Sequence, residues 1–374
     1  MHFENHFKKM SDSQQTAFLL LQDGTFLQGK AFGKTGTATG EICFNTGMTG
    51  YQEVFTDPSY YGQVLIMNNV HIGNYGVNKV DQESKSVKIR ALIGRNLEEK
   101  YSRYQATDSL DDYLKRNNIV AIEGIDTRSL VAHIRNRGAM NCIISSEISD
   151  KDALQKELDK VPDMDGLELA SVVSTKEIYE VGNAKAPLKI AVVDYGVKQN
   201  ILTSLAERGA FIKVFPAKTN VEEIKAFNPD GYFISNGPGD PAAMPYAVDT
   251  VKELLKEDKP LFGICLGHQL LALANDIPTF KMHHGHRGLN HPVKNLIKNH
   301  CEITTQNHGF GVNPEAVRNN SNIEITHVNL NDESIEGIRM KNKPAFSVQY
   351  HPESTPGPHD SRYLFDEFIE MMRS

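Results

Sequence analysis

The stretch 259–270 (KPLFGICLGHQL) constrains this chain most, because an apolar run ends at a cysteine and leucines at helical spacing follow at once. The run 260–264 is short and begins with proline, which predicts a buried parallel strand leading into a helix. Gly263 and Gly267 flank Cys265 in the pattern G-x-C-x-G, the thiol counterpart of a nucleophile elbow, where glycines let two backbone segments pass close to a strained turn. The helix N-terminus would stabilise a thiolate by roughly 0.3 to 2 kcal/mol. The stretch therefore predicts a nucleophile at a strand-to-helix corner, and it requires a base from elsewhere in the sequence.

The second half of the chain continues this alternation of strand and helix. From residue 188 onward, apolar strands such as 188–193 and 211–215 alternate with amphipathic helices such as 198–208. Shorter strands toward the C-terminus indicate an added mixed layer. We therefore predict an open mixed-sheet α/β domain over residues 188–374.

The first half has a different character, with short β-like runs separated by glycine turns. Two helices are predicted within it, at 109–115 and 126–137. We predict a β-rich α+β domain over residues 16–150. An N-terminal extension at 1–15 would precede it, and a helix and linker at 151–187, where the periodicity fades, would follow it.

Composition narrows the classes of partner and compartment. The chain has 374 residues, 40% of them hydrophobic, which suits two domains with buried cores. A formal charge of -7 gives no basic surface, so no nucleic acid is expected as a partner. Four cysteines without a C-x-x-C pair are typical of reduced cytosolic thiols, and we find no signal or membrane segment near the N-terminus. A cytoplasmic location is therefore expected.

The best position for a base follows the strand predicted at 345–350. His351-Pro-Glu353 comes directly after it, and ligands of open α/β sheets gather at the carboxyl ends of strands, where Cys265 is also expected. Glu353 would hold the imidazole tautomer, as the acid of a triad does. On the residues alone, an equally good interpretation is that His351 only satisfies a loop and that Glu353 is solvated.

The loop 235–240 (SNGPGD) follows another predicted strand, and its glycines can expose backbone N–H groups. It would form half of an oxyanion hole, with the N–H of Leu266, the residue after the nucleophile, as the other half. Taken alone, the loop is more simply explained as a Pro-Gly turn, and it lacks the Lys-Ser/Thr ending of a phosphate loop.

Three further features have structural interpretations. His283-His284-Gly-His286 is interpreted as a turn and no metal is predicted, because these histidines are too close together for one helix face and no Cys or acid completes a tetrahedral set. The glycine-rich stretch 37–50 lacks the strand-to-helix context of a dinucleotide site, which favours β-turn chemistry. Cys43, Cys142 and Cys301 lie in apolar strand-like runs and are predicted to be inert core residues.

Several motifs together resemble one known family. Gly263-Ile-Cys-Leu-Gly-His-Gln269 with His351-Pro-Glu353 resembles a class I, triad-type glutamine amidotransferase domain. Motifs in both halves narrow the resemblance to the small, glutamine-hydrolysing subunits of carbamoyl phosphate synthetases: Asn236-Gly-Pro-Gly-Asp-Pro241, Gly288-Leu-Asn-His-Pro292, Gln306-Asn-His-Gly-Phe310, Ser354-Thr-Pro-Gly-Pro-His359, Phe44-Asn-Thr-Gly-Met-Thr-Gly-Tyr-Gln-Glu53, Thr56-Asp-Pro-Ser-Tyr60, His71-Ile-Gly-Asn74 and Gly124-Ile-Asp-Thr-Arg128. The resemblance covers nearly the whole chain.

The resemblance implies a chemistry for the site. Cys265 would attack the side-chain amide of glutamine, His351 would supply and return the proton, and Glu353 would orient His351. Ammonia leaves, and water then hydrolyses the thioester to glutamate. The family's oxyanion donors correspond to the N–H groups of Gly237 and Leu266. Its glutamine-binding positions correspond to Ser59, Gly237, Gly239, Leu266, Gln269, Asn307, Gly309 and Phe310.

The resemblance also implies a partner. In this family, ammonia passes through an internal tunnel to a separate large subunit that consumes ATP and bicarbonate, so ATP and Mg are expected there and no cofactor is expected in this chain. A heterodimer or a higher oligomer with that large subunit is implied, serving the arginine and pyrimidine pathways. The chain departs from the family pattern in its N-terminal extension, in Gly47 and in a shortened linker before Pro187.

Two other functions stay open at this point. One is a stand-alone cysteine hydrolase with the front domain as a lid, which comparing glutamine with esters and peptides as substrates would reveal. The other is a non-catalytic glutamine sensor or assembly scaffold in which Cys265 only packs, and such a protein would not be alkylated by a glutamine analogue.

Overall fold

A computed structural model describes residues 15–374, so the predicted N-terminal extension lies, except for Gln15, outside the described residues. The strands of the first part are β1 (Thr16–Leu21), β2 (Phe26–Gly33), β3 (Thr37–Asn45), β4 (Gln63–Met67), β5 (His71–Ile72), β6 (Ala91–Ile93), β7 (Asn96–Leu97), β8 (Val120–Glu123) and β9 (Asn141–Ser145). A closed barrel forms in the order β1-β2-β8-β6-β4-β3-β9, and β5 pairs with β7. The predicted β-rich fold of this part is therefore confirmed, as a barrel.

Helices lie between and after these strands along the chain. They are α1 (Tyr51–Thr56), α2 (Leu110–Arg116), α3 (Thr127–Arg137), α4 (Lys151–Leu158) and α5 (Ala170–Val173). Helix α3 begins where the Asp126 carboxylate accepts a hydrogen bond from the Ser129 N–H, and it ends at Gly138, whose φ of 98° suits a residue without a Cβ. Alternate residues of β1, such as Leu19 and Leu21, are fully buried in the barrel core, as the two-residue period of a strand requires.

The second part is built on one large sheet. Its strands are β10 (Tyr179–Val181), β11 (Leu188–Asp194), β12 (Ala210–Pro216), β13 (Gly231–Ile234), β14 (Leu261–Ile264), β15 (Thr279–Asn295), β16 (His300–Val312), β17 (Ile323–Asn329), β18 (Ile335–Met340) and β19 (Ala345–Val348). They form a ten-stranded sheet in the order β10-β12-β11-β13-β14-β19-β18-β17-β15-β16. The stretch from β12 to β19 is parallel and the flanking strands are antiparallel, which confirms the predicted open mixed sheet.

Helices cover both faces of the parallel strands: α6 (Gln199–Glu207), α7 (Val221–Ala226), α8 (Pro245–Leu254), α9 (Leu266–Ala274), α10 (Pro314–Asn319) and α11 (Tyr363–Met371). Val251 of α8 and Leu270 of α9 pack on one face, and Ile201 of α6 and Phe365 of α11 pack on the other. Strands buried on both faces must be apolar throughout, as β14 is. The carboxyl ends of β11, β13, β14 and β19 consequently meet at one edge of the sheet, where the loops that follow them gather.

Two predictions of local structure were wrong. Residues 283–286 form no isolated turn but lie within the span of β15, where His286 pairs with His308 of β16. The register slips between Lys281 and His286, and Gly285 has a φ of 68°, so a β-bulge produces the break that the sequence pattern suggested was a turn. The stretch 37–50 is also mostly strand, since β3 covers its first nine residues and pairs with β4 and β9.

The cysteines behave unequally. Cys43 and Cys142 are buried, as predicted, but Cys301 is exposed, so its prediction as a core residue was wrong. Cys301 lies near the start of β16, where Glu302 points inward and both of its neighbours point outward, so the register of the strand overrides the local apolar pattern. The structure also uses part of the predicted linker as a strand, because β10 pairs with β12 at the edge of the sheet. The domain boundaries themselves stay a prediction.

Candidate active site

Cys265 lies at the predicted strand-to-helix corner, between the last residue of β14 and the first residue of α9. Its φ of 53° and ψ of -100° are unusual for a residue with a side chain, which marks a strained turn. A Cβ on Gly263 would lie 2.6 Å from the Gly267 carbonyl oxygen, and a Cβ on Gly267 would lie 2.2 Å from the Ile234 carbonyl oxygen. Both glycines are therefore required by close backbone packing around the cysteine.

His351 and Glu353 follow β19, the strand next to β14. The Nδ1 atom of His351 lies 2.8 Å from Oε1 of Glu353, and both residues are buried. Within residues 15–374, Nε2 of His351 is buried and has no hydrogen-bond partner. The Cys265 Sγ atom lies 3.6 Å from the Asn307 carbonyl oxygen. In the absence of substrate, His351 thus has one nitrogen anchored and the other available.

Electrostatics fix the charge of this pair. Burial would lower the pKa of His351, but the negative charge of Glu353 and the neighbouring Cys265 outweigh burial and raise that pKa to about 10. Burial would raise the pKa of Glu353, but the ammonium of Lys198 and the ring of His351 lower it to about 2. At neutral pH Glu353 is therefore ionised and His351 holds a proton.

Lys198 is a site residue that the sequence interpretation missed. Its Nζ atom lies 2.9 Å from Oε1 of Glu353 and donates to the Thr355 carbonyl at 3.0 Å, and the residue is 2% exposed. Burial would lower its pKa, but Glu353 and Glu83 hold that pKa above its usual range. In the sequence, a lysine at the start of an amphipathic helix looks like an ordinary solvent-exposed residue. The available signal was its place after β11, on the same edge of the sheet as Cys265.

One cavity collects the predicted glutamine-binding residues. Cys265 lines it, together with seven of the residues predicted to bind glutamine: Ser59, Gly237, Gly239, Gln269, Asn307, Gly309 and Phe310. Several lining residues escaped the sequence interpretation, namely Glu41, Tyr61, Gln63, Met164, Pro238, Lys281, Arg287 and His308. Glu41, Tyr61 and Gln63 come from the barrel part of the chain, so the cavity lies where barrel and sheet meet.

Hydrogen bonds tie the barrel side of the cavity to the sheet side. The Asn236 side-chain amide donates to Oγ of Ser59 at 2.9 Å, and the Asn307 side-chain amide donates to Asp57 at 3.2 Å. On the sheet side, the Gln269 side-chain amide donates to the Phe310 carbonyl at 2.9 Å. The walls of the cavity are therefore preorganised by polar contacts between the two parts.

The proposed oxyanion donors also meet beside the cysteine. A Cβ on Gly237 would lie 2.8 Å from Cδ2 of Leu266 and 2.2 Å from the Tyr195 carbonyl oxygen, so the loop after β13 packs directly against the start of α9. In the described part of the chain, neither the Gly237 N–H nor the Leu266 N–H donates a hydrogen bond to another protein group. Both are available to an oxygen that develops charge beside the sulfur.

A second group of titratable residues lies behind the cavity. His286, His308 and Glu336 place three possible metal-ligand atoms within 4.8 Å of one another. However, His286 contacts Asp332 through Nε2 at 2.9 Å and Glu336 through Nδ1 at 3.3 Å. Burial would lower the pKa of His286, but Asp332 and Glu336 raise it to about 9. An imidazolium already lies between these two carboxylates and takes both ring nitrogens of His286, so the absence of a metal stays the preferred prediction.

Comparison with known proteins follows the same division of the chain. Residues 191–371 match the family model "Glutamine amidotransferase class-I", and residues 19–144 match "Carbamoyl-phosphate synthase small chain, CPSase domain". None of the helices described in residues 15–374 has the length and apolarity needed to cross a bilayer.

Curated relatives align along almost their entire length. A carbamoyl phosphate synthase small chain from Chlorobaculum tepidum is 51% identical over 358 residues, covering 95% of this chain and 97% of the relative. Small chains from Nostoc sp. and Salmonella typhimurium are 48% and 46% identical, covering 96% of this chain and 95% and 97% of their own lengths. The solved structure of a putative GMP synthase protein from Thermoplasma acidophilum is 21% identical, covering 50% of this chain and 94% of its own, with a TM-score of 0.43, a likeness too distant to indicate a function. On the evidence of the two family models and these relatives, the chain belongs to the carbamoyl phosphate synthase small chain family and carries a class I glutamine amidotransferase domain.

Proposed function

We propose that this chain hydrolyses glutamine at Cys265 and delivers the ammonia to a separate large subunit for carbamoyl phosphate synthesis. The observation that carries the proposal is the arrangement of His351, whose Nδ1 is held by Glu353 while its buried Nε2 has no partner in the described chain. A histidine held in this way can give and take one proton at one position. Cys265 is the nucleophile beside it, at the strained corner.

The reaction runs through a thioester. The Cys265 sulfur attacks the side-chain carbonyl carbon of glutamine, and the N–H groups of Gly237 and Leu266 stabilise the tetrahedral oxyanion. His351 then donates its Nε2 proton to the departing nitrogen, and ammonia leaves. In the second half, neutral His351 takes a proton from water as the water attacks the thioester, and it keeps that proton as the carbon–sulfur bond breaks and glutamate is released, which restores the starting state.

The cavity supplies the specificity in this proposal. Polar groups from the barrel and from the sheet converge on one cavity, and Ser59 reaches it from the barrel side. We assign glutamine binding to the set predicted from the sequence: Ser59, Gly237, Gly239, Leu266, Gln269, Asn307, Gly309 and Phe310. Because Ser59 comes from the barrel, the barrel contributes directly to the active site.

The name "small chain" carried by the relatives supports a large-subunit partner. In this proposal the two subunits form a heterodimer, or a higher oligomer built from it, and ATP and Mg are bound by the large subunit. The complex would act in the cytoplasm and supply the arginine and pyrimidine pathways. This chain needs no cofactor, since the sulfur of Cys265, an imidazolium and two N–H donors suffice for amide hydrolysis.

The test is Cys265→Ser in the reconstituted complex. We expect glutamine-dependent carbamoyl phosphate synthesis to fall by at least about 10³-fold, because the alkoxide of serine is not available at neutral pH, while synthesis from free ammonia stays at the wild-type rate. The measurement is product formation with glutamine and with ammonium chloride as alternative nitrogen donors. Loss of both activities would show that Cys265 is structural.

Two companion assays separate the rival functions. A stand-alone cysteine hydrolase would turn over esters or peptides and would respond equally with and without the large subunit, whereas we expect weak glutaminase activity that the large subunit stimulates. A sensor or scaffold would not form a covalent adduct at Cys265. Labelling by a chloroketone analogue of glutamine, prevented by glutamine itself, would exclude it.

A further inference from the structure

One buried carboxylate near the site takes no part in the chemistry above. Glu83 lies between β5 and β6 and is 1% exposed. Its carboxylate accepts hydrogen bonds from the backbone N–H and the side-chain amide of Asn200, both at 3.1 Å, and its carbonyl accepts the Gln199 N–H at 2.9 Å. A segment of the barrel part is thereby clamped onto the start of α6, the helix that follows Lys198.

Lys198 stands between this carboxylate and the triad. Its Nζ atom lies 3.6 Å from Oε1 of Glu83 and 2.9 Å from Oε1 of Glu353. The same Glu353 oxygen is 2.8 Å from Nδ1 of His351. Two cationic groups therefore share one carboxylate oxygen, and the only other carboxylate that the structure places within 4.0 Å of the ammonium, among residues 15–374, is that of Glu83.

We infer that Glu83 is a positioning residue for the triad, which acts by sharing the ammonium of Lys198 and so leaves the charge of Glu353 available to His351. The inference rests on the proposed function, because it concerns the proton that His351 gives to the leaving ammonia. Without the charge of Glu83, Lys198 would pair with Glu353 alone. A carboxylate neutralised in this way would hold the imidazolium proton less firmly.

The contacts of Glu83 also link the charge balance at Lys198 to the packing of the barrel against the sheet. Its backbone N–H donates to Oγ1 of Thr56 at 2.9 Å, three residues before Ser59, which lines the cavity. One region of the barrel thus supplies both a wall of the cavity and the second carboxylate on Lys198. A barrel displaced from the sheet would lose both together, so glutamine binding and proton transfer would respond to the same contact.

Several charged residues surround Lys198 and Glu83. Glu83, Glu353 and Asp57 act on Lys198, and Glu53 lies near enough to Glu83 for the two carboxylates to affect each other. Burial and the charge of Glu353 raise the pKa of Glu83, while Lys198 and the Asn200 N–H oppose that shift. The charge balance around Lys198 therefore depends on Glu83 remaining ionised beside it.

The experiment is the pH profile of glutamine hydrolysis by the full chain, comparing the wild type with Glu83→Gln. The basic limb of kcat/KM reports the loss of the His351 proton. We expect this limb to move to lower pH by about 0.5 to 1 unit in Glu83→Gln, with kcat reduced about three- to tenfold and KM for glutamine little changed. Glu83→Asp keeps the negative charge, so its basic limb should lie close to that of the wild type.

A second variant should shift the basic limb of kcat/KM in the opposite direction. Lys198→Gln removes the cation beside Glu353, so the basic limb of kcat/KM should move to higher pH. If Glu83→Gln does not fold, this variant tests the inference in its place. The matched control is Glu123→Gln, since Glu123 is a half-buried barrel carboxylate that accepts the Leu97 N–H. An unshifted limb in the folded Glu83 or Lys198 variant, or an equal shift in the control, would overturn the inference. A wild-type chain without glutaminase activity, both alone and with the large subunit, would refute the proposed function, and the inference with it.

Discussion

Two buried histidines in the second part of the chain contact carboxylates and have raised pKa values, yet we propose a catalytic role for only one of them. The pKa of His351 is raised to about 10 and that of His286 to about 9. His351 meets one carboxylate, at Nδ1, and its Nε2 has no partner in the described chain. His286 meets Asp332 at one nitrogen and Glu336 at the other. The free ring nitrogen, rather than the pKa shift, distinguishes a group that can transfer protons from one that holds the fold together.

The different positions of these histidines in the sheet explain the contrast. His351 follows a parallel strand, so it lies at the carboxyl edge beside the strained corner of Cys265. His286 belongs to the antiparallel pair β15 and β16, and its ring lies between Asp332, in the turn after β17, and Glu336 of β18. A position at the end of a strand leaves one side of the ring open, whereas a position within a ladder surrounds the ring.

Replacing each histidine in turn should give the largest difference between the two sites. His351→Asn should lower kcat for glutamine hydrolysis by about 10³-fold or more, because no other group in the described part of the chain is placed to protonate ammonia. His286→Asn should keep kcat near the wild-type value and lower thermal stability, because the buried Glu336 would lose its cation. Paired measurements of kcat and melting temperature check both expectations. If His286→Asn lost activity as completely as His351→Asn, the two sites would not be functionally distinct.

A smaller effect is expected from removing the charge but keeping the shape of the triad acid. In Glu353→Gln, the amide oxygen can still accept from Nδ1 of His351, but the pKa of His351 should fall from about 10 toward or below its ordinary value of 6.5. The basic limb of kcat/KM should therefore move to lower pH, and kcat should fall about 10- to 100-fold.

Glu336→Gln is the matched control for this change, since Glu336 stands next to His286 as Glu353 stands next to His351. Its pH profile should keep the wild-type basic limb. If the limb stayed in place in Glu353→Gln, His351 would not be the group whose proton the profile reports.

The same comparison shows what the sequence could and could not predict. The corner at Cys265 was predictable because it depends on local features, an apolar strand, two glycines and a helical leucine pattern, and the base was predictable because it directly follows a strand. Local patterns could not show that Lys198 meets Glu83, since the two residues belong to different parts of the chain and only the docking of barrel and sheet joins them.

The histidine cluster was misinterpreted for a related reason. The spacing of residues 283–286 suggested a turn, but the hydrogen bonds to β16 hold them in a bulged strand. The carboxylates that pair with His286 lie some fifty residues away along the chain, at Asp332 and Glu336, so the sequence around His286 contains no sign of them. Cys301 shows the same limit, because strand register, set by partners, decided which side faces water.

The smallest expected effect is the pH dependence of stability that His286 contributes. Its pKa is about 9 in the folded chain against an ordinary value of 6.5, so its stabilisation is fully present below pH 6.5 and is lost as pH rises through 9. The wild type should therefore be more stable than His286→Asn by the largest margin near pH 6, on the order of 1 to 3 kcal/mol in the free energy of unfolding, with a correspondingly higher melting temperature. This margin should shrink by pH 10. His351 is present in both proteins, so its own contribution cancels in the difference. Thermal unfolding of the two proteins from pH 6 to 10 measures this margin, and a margin independent of pH would mean that His286 is not the imidazolium that binds its two carboxylates.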